Sequence, residues 1–280
     1  MRTPVASWCE VVPRATFRPA LVAAIVGAVV AASTSAAAPR AERQVSPAFP
    51  GGPYFVLVCG LSHRSNDDPI VFPGQPGRSH NHTFIGNRSV DAFTTSTSLR
   101  GGPTTCEMDA DSSTYWVPTL VAGREPVTPL VGLVYYTRRT PERVTAFPSD
   151  LRMVAGNQNA RRAQSKATVF WSCGGLGSTK RFATVPACGP AQALQFRVHF
   201  PSCWNGKSSD SADHKRHMAY ATGGSCPATH PVAVPTLTLI LLYPPVPKTA
   251  RVASGKFGAH AGFMNGWDGD ELARLVSDLN

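Results

Sequence analysis

Short apolar runs separated by Pro- and Gly-rich turns constrain the fold of this chain more than any other feature. Each run is rich in β-branched and aromatic residues and bounded by Gly, Pro, Asn or Ser, as β-strands are. They cover residues 54–59, 82–86, 115–121, 130–136, 167–173, 193–200 and 235–243. Only the terminal GDELARLVSDL has the spacing of an amphipathic helix, with Asp268 or Asp270 as its N-cap. The pattern predicts a mainly β chain: a single β-sandwich-like domain over residues 54–280, with long loops and a short C-terminal helix.

The first residues have the layout of a secretory signal peptide. A basic region precedes the apolar run at 20–32, which is shorter than the roughly 20 residues of a membrane-spanning helix, and small residues follow it. We expect a signal peptide over residues 1–37 and a flexible leader over 38–53. An uncleaved membrane anchor is the alternative. No other run is long enough to span a bilayer, so we expect a secreted, extracellular protein without a stable membrane span after cleavage.

The cysteines fit an oxidising compartment. Of the 7 in the chain, Cys9 lies in the signal peptide, which leaves Cys59, Cys106, Cys173, Cys188, Cys203 and Cys226. An even number in an exported domain predicts disulfides that staple the fold. Many connectivities are possible, and proximity along the chain favours Cys59–Cys106, Cys173–Cys188 and Cys203–Cys226. A cysteine metal site is the weaker alternative because the spacings contain no C-x-x-C.

The formal net charge of +10 suits adhesion to anionic extracellular material. The basic residues are scattered, and the cluster Arg161, Arg162 and Lys166 has no interleaved aromatic residues. We therefore do not expect a nucleic acid as partner. The expected partner is an extracellular polysaccharide or cell-wall polymer.

The 8 histidines follow the predicted leader, and several are close in sequence. His80 and His82 point to one face if they lie on a strand, and a helical turn would align His214 with His217. Imidazole is a common ligand for transition metals, and three histidines with an open position make a catalytic type of site. We therefore predict a divalent transition metal as cofactor, with His80, His82 and His217 as ligands. In the ordinary alternative, each histidine bonds loop backbone or lies exposed.

Acidic residues are scarce, so their positions are informative. Asp68 opens DPIVFPG, and Asp213 precedes His214, where a carboxylate can orient an imidazole for acid–base work. The candidate catalytic residues are His80, His82, Asp68, His199 and His214. Two alternatives stay open: paired carboxylates of a glycoside hydrolase, and aspartates that only cap turns.

The candidate binding residues are Tyr115, Trp116, Trp204 and Arg197. The three aromatic residues fall at loop or strand ends, where their rings would stack on sugars; packing in the core is the alternative. Alternation along LQFRVHF places Arg197 on the same strand face as His199. Familiar catalytic signatures such as G-x-S-x-G and H-E-x-x-H are missing.

Four long motifs carry a resemblance to a known family: those at residues 62–87, 104–120, 198–239 and 260–268. In order and spacing they resemble the secreted family called domain of unknown function 1996, found in actinobacteria and fungi. The resemblance covers about residues 54–270 and implies an exported protein that acts at the cell surface or on an extracellular polymer, without an established reaction. The family pattern has an aspartate where this chain has Gly262, so a catalytic role of that aspartate would imply an impaired copy.

Three functions follow from these expectations. The first is an extracellular, metal-assisted enzyme that acts on polysaccharide or cell-wall polymer through a His/Asp-rich cleft. The second is a non-catalytic cell-surface module that binds glycan or has a structural role. The third is a protein that scavenges or stores metal through the same histidines. Convergence of the histidines in one cleft would favour the first over the second.

Overall fold

A computed structural model describes residues 53–280 of the chain. The predicted signal peptide, Cys9 and all but the last residue of the predicted leader lie outside the described residues. Within residues 53–280, no helix is both long and apolar enough to cross a bilayer.

The first of two large sheets is antiparallel and has five strands. Its spatial order is β1, β7, β14, β10, β9, with β1 at Tyr54–Cys59, β7 at Val131–Thr137, β9 at Val169–Cys173, β10 at Leu194–His199 and β14 at Thr236–Tyr243. Each of these strands matches a predicted apolar run within a few residues. The longest, β14, lies in the middle of the sheet, which explains its almost unbroken run of apolar residues.

The second large sheet also has five antiparallel strands. Its spatial order is β2, β3, β4, β16, β8, with β2 at Leu61–Ser65, β3 at His82–Gly86, β4 at Thr114–Pro118, β8 at Arg152–Gly156 and β16 at His260–Met264. The sequence predicted β3 and β4 but not β2, β8 or β16. These three are short and contain polar residues, Gly or Ala, which have low strand propensity.

The two large sheets pack face to face around one apolar core. Because side chains alternate along a strand, Phe196 of β10 and Leu239 of β14 point inward from the first sheet. Tyr115 of β4 and Phe263 of β16 point inward from the second sheet. The structure therefore confirms the predicted mainly β, sandwich-like fold.

Smaller elements accompany the two large sheets. Two three-stranded sheets contain β11 (Cys203–Trp204), β12 (Met218–Ala219) and β13 (Val232–Ala233), and β5 (Leu120–Ala122), β6 (Glu125–Pro126) and β15 (Arg251–Val252). The helices are α1 (Ser96–Leu99) and α2 (Gly269–Ser277). The predicted C-terminal helix is thus confirmed, with Asp268 as its N-cap, and it buries Leu272, Leu275 and Val276.

Three disulfides staple the fold, and each joins the pair that proximity favoured. They are Cys59–Cys106, Cys173–Cys188 and Cys203–Cys226. Disulfides persist in oxidising compartments, so this framework is consistent with an extracellular protein.

Candidate metal centre

Two histidines converge on the outer face of the second sheet. Along β3 and β16, Ile85 and Ala261 point into the core, so His82 and His260 point to the opposite face. His82 pairs with Pro118 of β4, and the register of β16 places His260 at the same level on the other side of β4. The two side chains therefore approach each other above β4, although 178 residues separate them in sequence.

His80 completes the cluster from the loop that precedes β3. Its ring centroid lies 4.3 Å from that of His82 and 5.0 Å from that of His260. Each of the three histidines offers one ring nitrogen, and these nitrogens lie within 4.8 Å of one another. His82 and His260 are almost fully buried, whereas His80 is half-buried and lies at the solvent side of the cluster.

The hydrogen bonds of the buried pair determine which nitrogens carry protons. Nδ1 of His82 lies 3.0 Å from the carbonyl oxygen of Asp67, and Nδ1 of His260 lies 2.6 Å from that of Gly258. A carbonyl oxygen only accepts, so both Nδ1 atoms carry the hydrogen. In a neutral imidazole the other nitrogen is then bare. The two bare Nε2 atoms face each other at 3.3 Å, with two lone pairs and no hydrogen between them.

The three imidazoles are neutral because burial disfavours their charged form. Burial lowers the pKa of His82 well below its usual 6.5, and the nearby His260 and His80 lower it further. Burial likewise lowers the pKa of His260 to about 3, and it lowers the pKa of His80. A proton shared between the facing nitrogens is therefore disfavoured near neutral pH.

This arrangement fits a metal ion held by imidazole. Zinc–nitrogen bonds of about 2.0–2.1 Å in tetrahedral geometry place two ligand nitrogens about 3.3 Å apart, which is the spacing observed here. The bonds from Nδ1 to backbone carbonyls are the usual outer contacts that orient metal-binding histidines. Nε2 of His80 is buried and has no hydrogen-bond partner among the described residues, so it is available as a third ligand.

The loop that carries His80 is held in place by two aspartates. Oδ1 of Asp67 accepts from the backbone N–H of Gly77, and its backbone carbonyl orients His82. Oδ1 of Asp68 accepts from the N–H groups of Ile70 and Val71, as in a turn cap. Burial raises the pKa of the Asp68 carboxyl, while those two N–H groups lower it. The structure therefore places Asp68 in the turn-capping arrangement that the sequence left open.

A cavity of about 340 Å³ lies next to the end of β16 that carries His260. Its lining comprises Val71, Val154, residues 157–159 and residues 212–215, and does not include the three histidines. Nζ of Lys215 donates to the carbonyl oxygen of Gly156 at 2.5 Å, beside His260 in the sheet. Its positive charge contributes to the lowered pKa of His260.

His214 lines this cavity and forms a dyad with Asp210. Its Nδ1 lies 2.9 Å from Oδ1 of Asp210. Its φ of 57° is in the left-handed region, where a non-glycine residue is held only if its surroundings fix it. The carboxylate orients the ring, so its other nitrogen is available for proton transfer. The sequence suggested Asp213 as the partner, but Asp213 instead accepts from Arg216.

Two other candidate histidines lie away from the cluster. His217 was a predicted ligand, but its Nε2 donates to the carbonyl oxygen of Arg152 at 2.7 Å and its Nδ1 lies 3.0 Å from Oγ of Ser211. Those contacts occupy both ring nitrogens. His199 lies on the outer face of the first sheet, 2.8 Å from Oγ1 of Thr238.

The candidate aromatic residues lie mostly inside the fold. Tyr115 and Trp116 are 0% and 1% exposed because β4 is central in its sheet and both of its faces are covered. Neither ring is available at the surface for stacking on a sugar. Trp204 is half-buried, and its Nε1 donates to the carbonyl oxygen of Ser208 at 2.7 Å.

Tyr115 belongs to a buried chain of hydrogen bonds. Its hydroxyl donates to Oδ2 of Asp111 at 2.7 Å and lies 2.7 Å from the hydroxyl of Tyr136. Nε1 of Trp267 donates to Tyr136 at 2.8 Å. Oδ1 of Asp111 also accepts from the N–H of Ser113. Burial nevertheless raises the pKa of Asp111 to about 6.

Gly262 lies against the ring of Trp116 on the outer face. A Cβ at position 262 would overlap Cε2 and Cζ2 of that ring. The indole therefore fills the space that a side chain at position 262 would occupy. In this chain Gly262 is required by packing, and the nearby nitrogen cluster does not depend on a carboxylate there.

Sequence reasoning missed two residues of this region. His260 was not selected as a ligand because it stands alone in sequence, in the unpredicted strand β16. Its position at the start of the family-like motif at residues 260–268 was the available signal. Asp210 lies in a polar loop, and no local pattern linked it to His214.

Comparison with known proteins supports the family resemblance. The model of the family described as Domain of unknown function (DUF1996) matches residues 68–267, which include His80, His82 and His260. Neither the curated proteins nor the solved structures contain a significant match to the chain. The family match covers most of the chain and every strand of the two large sheets except β1 and β2, and we conclude that the chain belongs to the DUF1996 family.

Proposed function

We propose that this protein is an extracellular metal-dependent enzyme in which His80, His82 and His260 bind one divalent transition metal ion. Its proposed substrate is a polysaccharide or cell-wall polymer. The observation that carries the proposal is the 3.3 Å distance between Nε2 of His82 and Nε2 of His260. Both Nε2 atoms are bare because Nδ1 of each ring donates its hydrogen to a backbone carbonyl oxygen. Two facing lone pairs in a buried site repel each other, and a cation between them removes that repulsion.

The ligand set supports a catalytic role rather than a purely structural one. Structural zinc sites use four protein ligands, whereas catalytic sites use three and leave a position for water or substrate. Three imidazoles converge here, and His80 lies at the solvent side of the cluster. Such a centre activates water or polarises a carbonyl group near neutral pH.

The adjacent cavity supports a hydroxyl-rich substrate. Its lining includes the side chains of Asn157, Gln158 and Asn159, together with the charged Asp213 and Lys215. Amide and charged groups of this kind donate and accept hydrogen bonds, as recognition of a sugar chain requires.

The dyad supplies a group for acid–base work at the same cavity. His214 lines the cavity, and Asp210 holds its ring orientation through Nδ1. An imidazole oriented in this way takes up or releases a proton through its other nitrogen. The roles we propose are therefore metal ligands for His80, His82 and His260, and general acid–base catalyst for His214.

The metal centre is tested by metal content. We expect purified protein, stripped with a chelator and dialysed against Zn²⁺, Cu²⁺ or Co²⁺, to retain about one equivalent by mass spectrometry, since the site has three ligands. His80→Ala and His260→Ala should retain less than about 0.2 equivalents, because loss of one ligand of three weakens binding strongly. His230→Ala is the matched control because its ring bonds the backbone of Arg216 outside the cluster.

His80→Ala is the more informative variant, since His80 is half-buried and its removal leaves the core intact. Retention of one equivalent by both variants, or of less than about 0.2 equivalents by wild-type protein with every metal, would refute the metal centre.

Turnover is tested separately from metal binding. Wild-type protein with and without metal is incubated with purified cell-wall polysaccharides, and soluble fragments are measured by chromatography. We expect fragments only with metal, and a loss of about 100-fold or more in His214→Ala with unchanged metal content. One metal equivalent without fragments from any polymer would instead support a non-catalytic role, either as a glycan-binding module or as a protein that stores metal.

A further inference from the structure

Three arginines gather on the outer face of the first sheet, opposite the face that packs in the core. Arg197 of β10 points outward, and its neighbour in β9 is Phe170. The guanidinium carbons of Arg181 and Arg197 lie 4.5 Å and 5.9 Å from the centroid of the Phe170 ring. Arg139, just after β7, is close enough to interact electrostatically with Arg181 and His199. We call Arg139, Arg181 and Arg197 the arginine patch.

No carboxylate balances this charge within the described part of the chain. The ion pairs found there that contain arginine involve Arg152, Arg216 and Arg274, and none involves the arginine patch. The partners of Arg197 are neutral: Oε1 of Gln195 and the carbonyl oxygen of Leu176. Arg181 likewise donates to the carbonyl oxygen of Lys166 at 3.1 Å.

The positive charges also repel one another. Packing around its guanidinium first, and the charge of Arg181 second, lower the pKa of Arg139, although the residue as a whole is exposed. At His199, burial first and the charges of Arg139, Arg181 and Arg197 after it lower the pKa to about 3, so the ring is neutral. Like charges brought together without a counter-charge repel one another in the free protein. An anion placed among the three arginines is therefore attracted electrostatically by all three.

The patch is arranged for such an anion. Arg139 and Arg181 are exposed, and neither the hydrogen bonds nor the ion pairs of residues 53–280 occupy the guanidinium of Arg139. Gln195 holds the guanidinium of Arg197 from one side, which reduces the ordering needed on binding. Guanidinium groups match the paired oxygens of carboxylate and phosphate with two parallel hydrogen bonds.

We propose that the arginine patch is a second binding site, which holds the carboxylate or phosphate groups of an anionic extracellular polymer. It lies on the first sheet, on the opposite outer face of the sandwich from the histidine cluster. The site is therefore non-catalytic and independent of the metal centre. Its role is to hold the protein on a charged polymer.

The experiment measures binding of immobilised protein to three soluble probes at low salt. Polygalacturonate presents carboxylates, its methyl ester is the uncharged counterpart, and polyphosphate presents phosphates. The test variant is Arg139→Gln/Arg181→Gln. The control, Arg124→Gln/Arg162→Gln, removes the same charge from two exposed arginines elsewhere.

We expect polygalacturonate, polyphosphate or both to bind wild-type protein, and the methyl ester not to bind. The test variant should bind the anionic probe about tenfold or more weakly, and the control within about twofold of wild type, since bidentate contacts are lost only in the former. Preference for one probe identifies the group that the site takes. The metal content of the test variant should equal that of wild type.

Three results would overturn the proposal: equal binding of the methyl ester, an equal loss in the control, or no binding of either anionic probe. The single variant Arg139→Gln covers the case in which the double variant is unstable, because Arg139 is exposed and bonds no other side chain in the described part. Arg139→Gln alone should still weaken binding of the anionic probe. A folded Arg139→Gln that binds this probe with the affinity of wild type would also contradict the proposal. A loss of metal binding without a change in these affinities would bear on the catalytic proposal alone.

Discussion

Replacement of Asp111 by asparagine should remove the pH-dependent loss of folding free energy that ionisation of this buried carboxyl causes. Asp111 is 0% exposed, and its two carboxylate oxygens accept from the N–H of Ser113 and the hydroxyl of Tyr115. These bonds favour the ionised form, but burial outweighs them and raises the pKa from 3.8 to about 6. Asparagine has nearly the same shape and does not ionise.

The size and sign of the effect follow from that shift. An upward shift of about 2 pKa units is worth about 3 kcal/mol at 1.36 kcal/mol per unit. The raised value means that the unfolded chain ionises first, so stability falls as the pH rises. The contribution of Asp111 is most favourable below about pH 4, declines between about pH 4 and 6, and is constant above that range.

The measurement is urea unfolding of wild-type protein and Asp111→Asn from pH 4 to pH 7. We expect the free energy of unfolding of wild type, minus that of the variant, to fall by about 2 kcal/mol across this range, because part of the full change has already occurred at pH 4. With a typical slope, the difference in urea midpoint then changes by about 1 M or more. Asp109→Asn is the control, because Asp109 is exposed two residues away and its difference should stay flat.

A difference between wild type and Asp111→Asn that does not change with pH would refute this reasoning. If the variant does not fold, the carboxyl pKa of Asp111 in wild-type protein can be read by carbon NMR. A carboxyl pKa near 4 would also refute this reasoning, because burial would then not raise the pKa of Asp111.

Two further substitutions test packing and covalent constraint. Gly262→Ala should lower the free energy of unfolding by about 1–3 kcal/mol, because the added Cβ overlaps the ring of Trp116. Gly175→Ala is the control and should change the free energy of unfolding little, because a Cβ at position 175 contacts no other atom. Equal effects of the two substitutions in urea unfolding would contradict this prediction. Cys173→Ser/Cys188→Ser opens a loop of 15 residues and should cost about 3 kcal/mol, seen as a melting temperature about 6–12 °C lower. An unchanged melting temperature would show that this disulfide does not constrain the unfolded chain.

Much of the fold was predictable because local pattern and burial agree in the first sheet. Alternation in β10 correctly placed Arg197 and His199 on one face and Phe196 on the other. The strands of this sheet coincide with apolar runs of aromatic, β-branched and leucine residues, and two of the disulfides join cysteines only 15 and 23 residues apart. These features are encoded within short windows of the chain.

The candidate site was predictable only in part because its contacts are not local. The rings of His80 and His82 lie 4.3 Å apart, but His80 is in the loop before β3, so the shared strand face that the H-x-H spacing suggested is not what brings them together. The third histidine, His260, reaches the cluster because β16 pairs with β4. The five residues of β16 include Gly and Ala and do not predict that pairing. Trp116 was expected at the surface because a strand end and a central strand look alike in sequence; only the covering loops show that it is buried.

The distance between His82 and His260 along the chain has a consequence for how the centre forms. No peptide or early fragment contains both nitrogens, since 178 residues separate them. The nitrogens meet only after β3 and β16 have both joined β4, which is among the most non-local steps of assembly. If the proposed ion binds to this pair, it can do so only after β3, β4 and β16 have assembled, so its binding would mark a late step of folding.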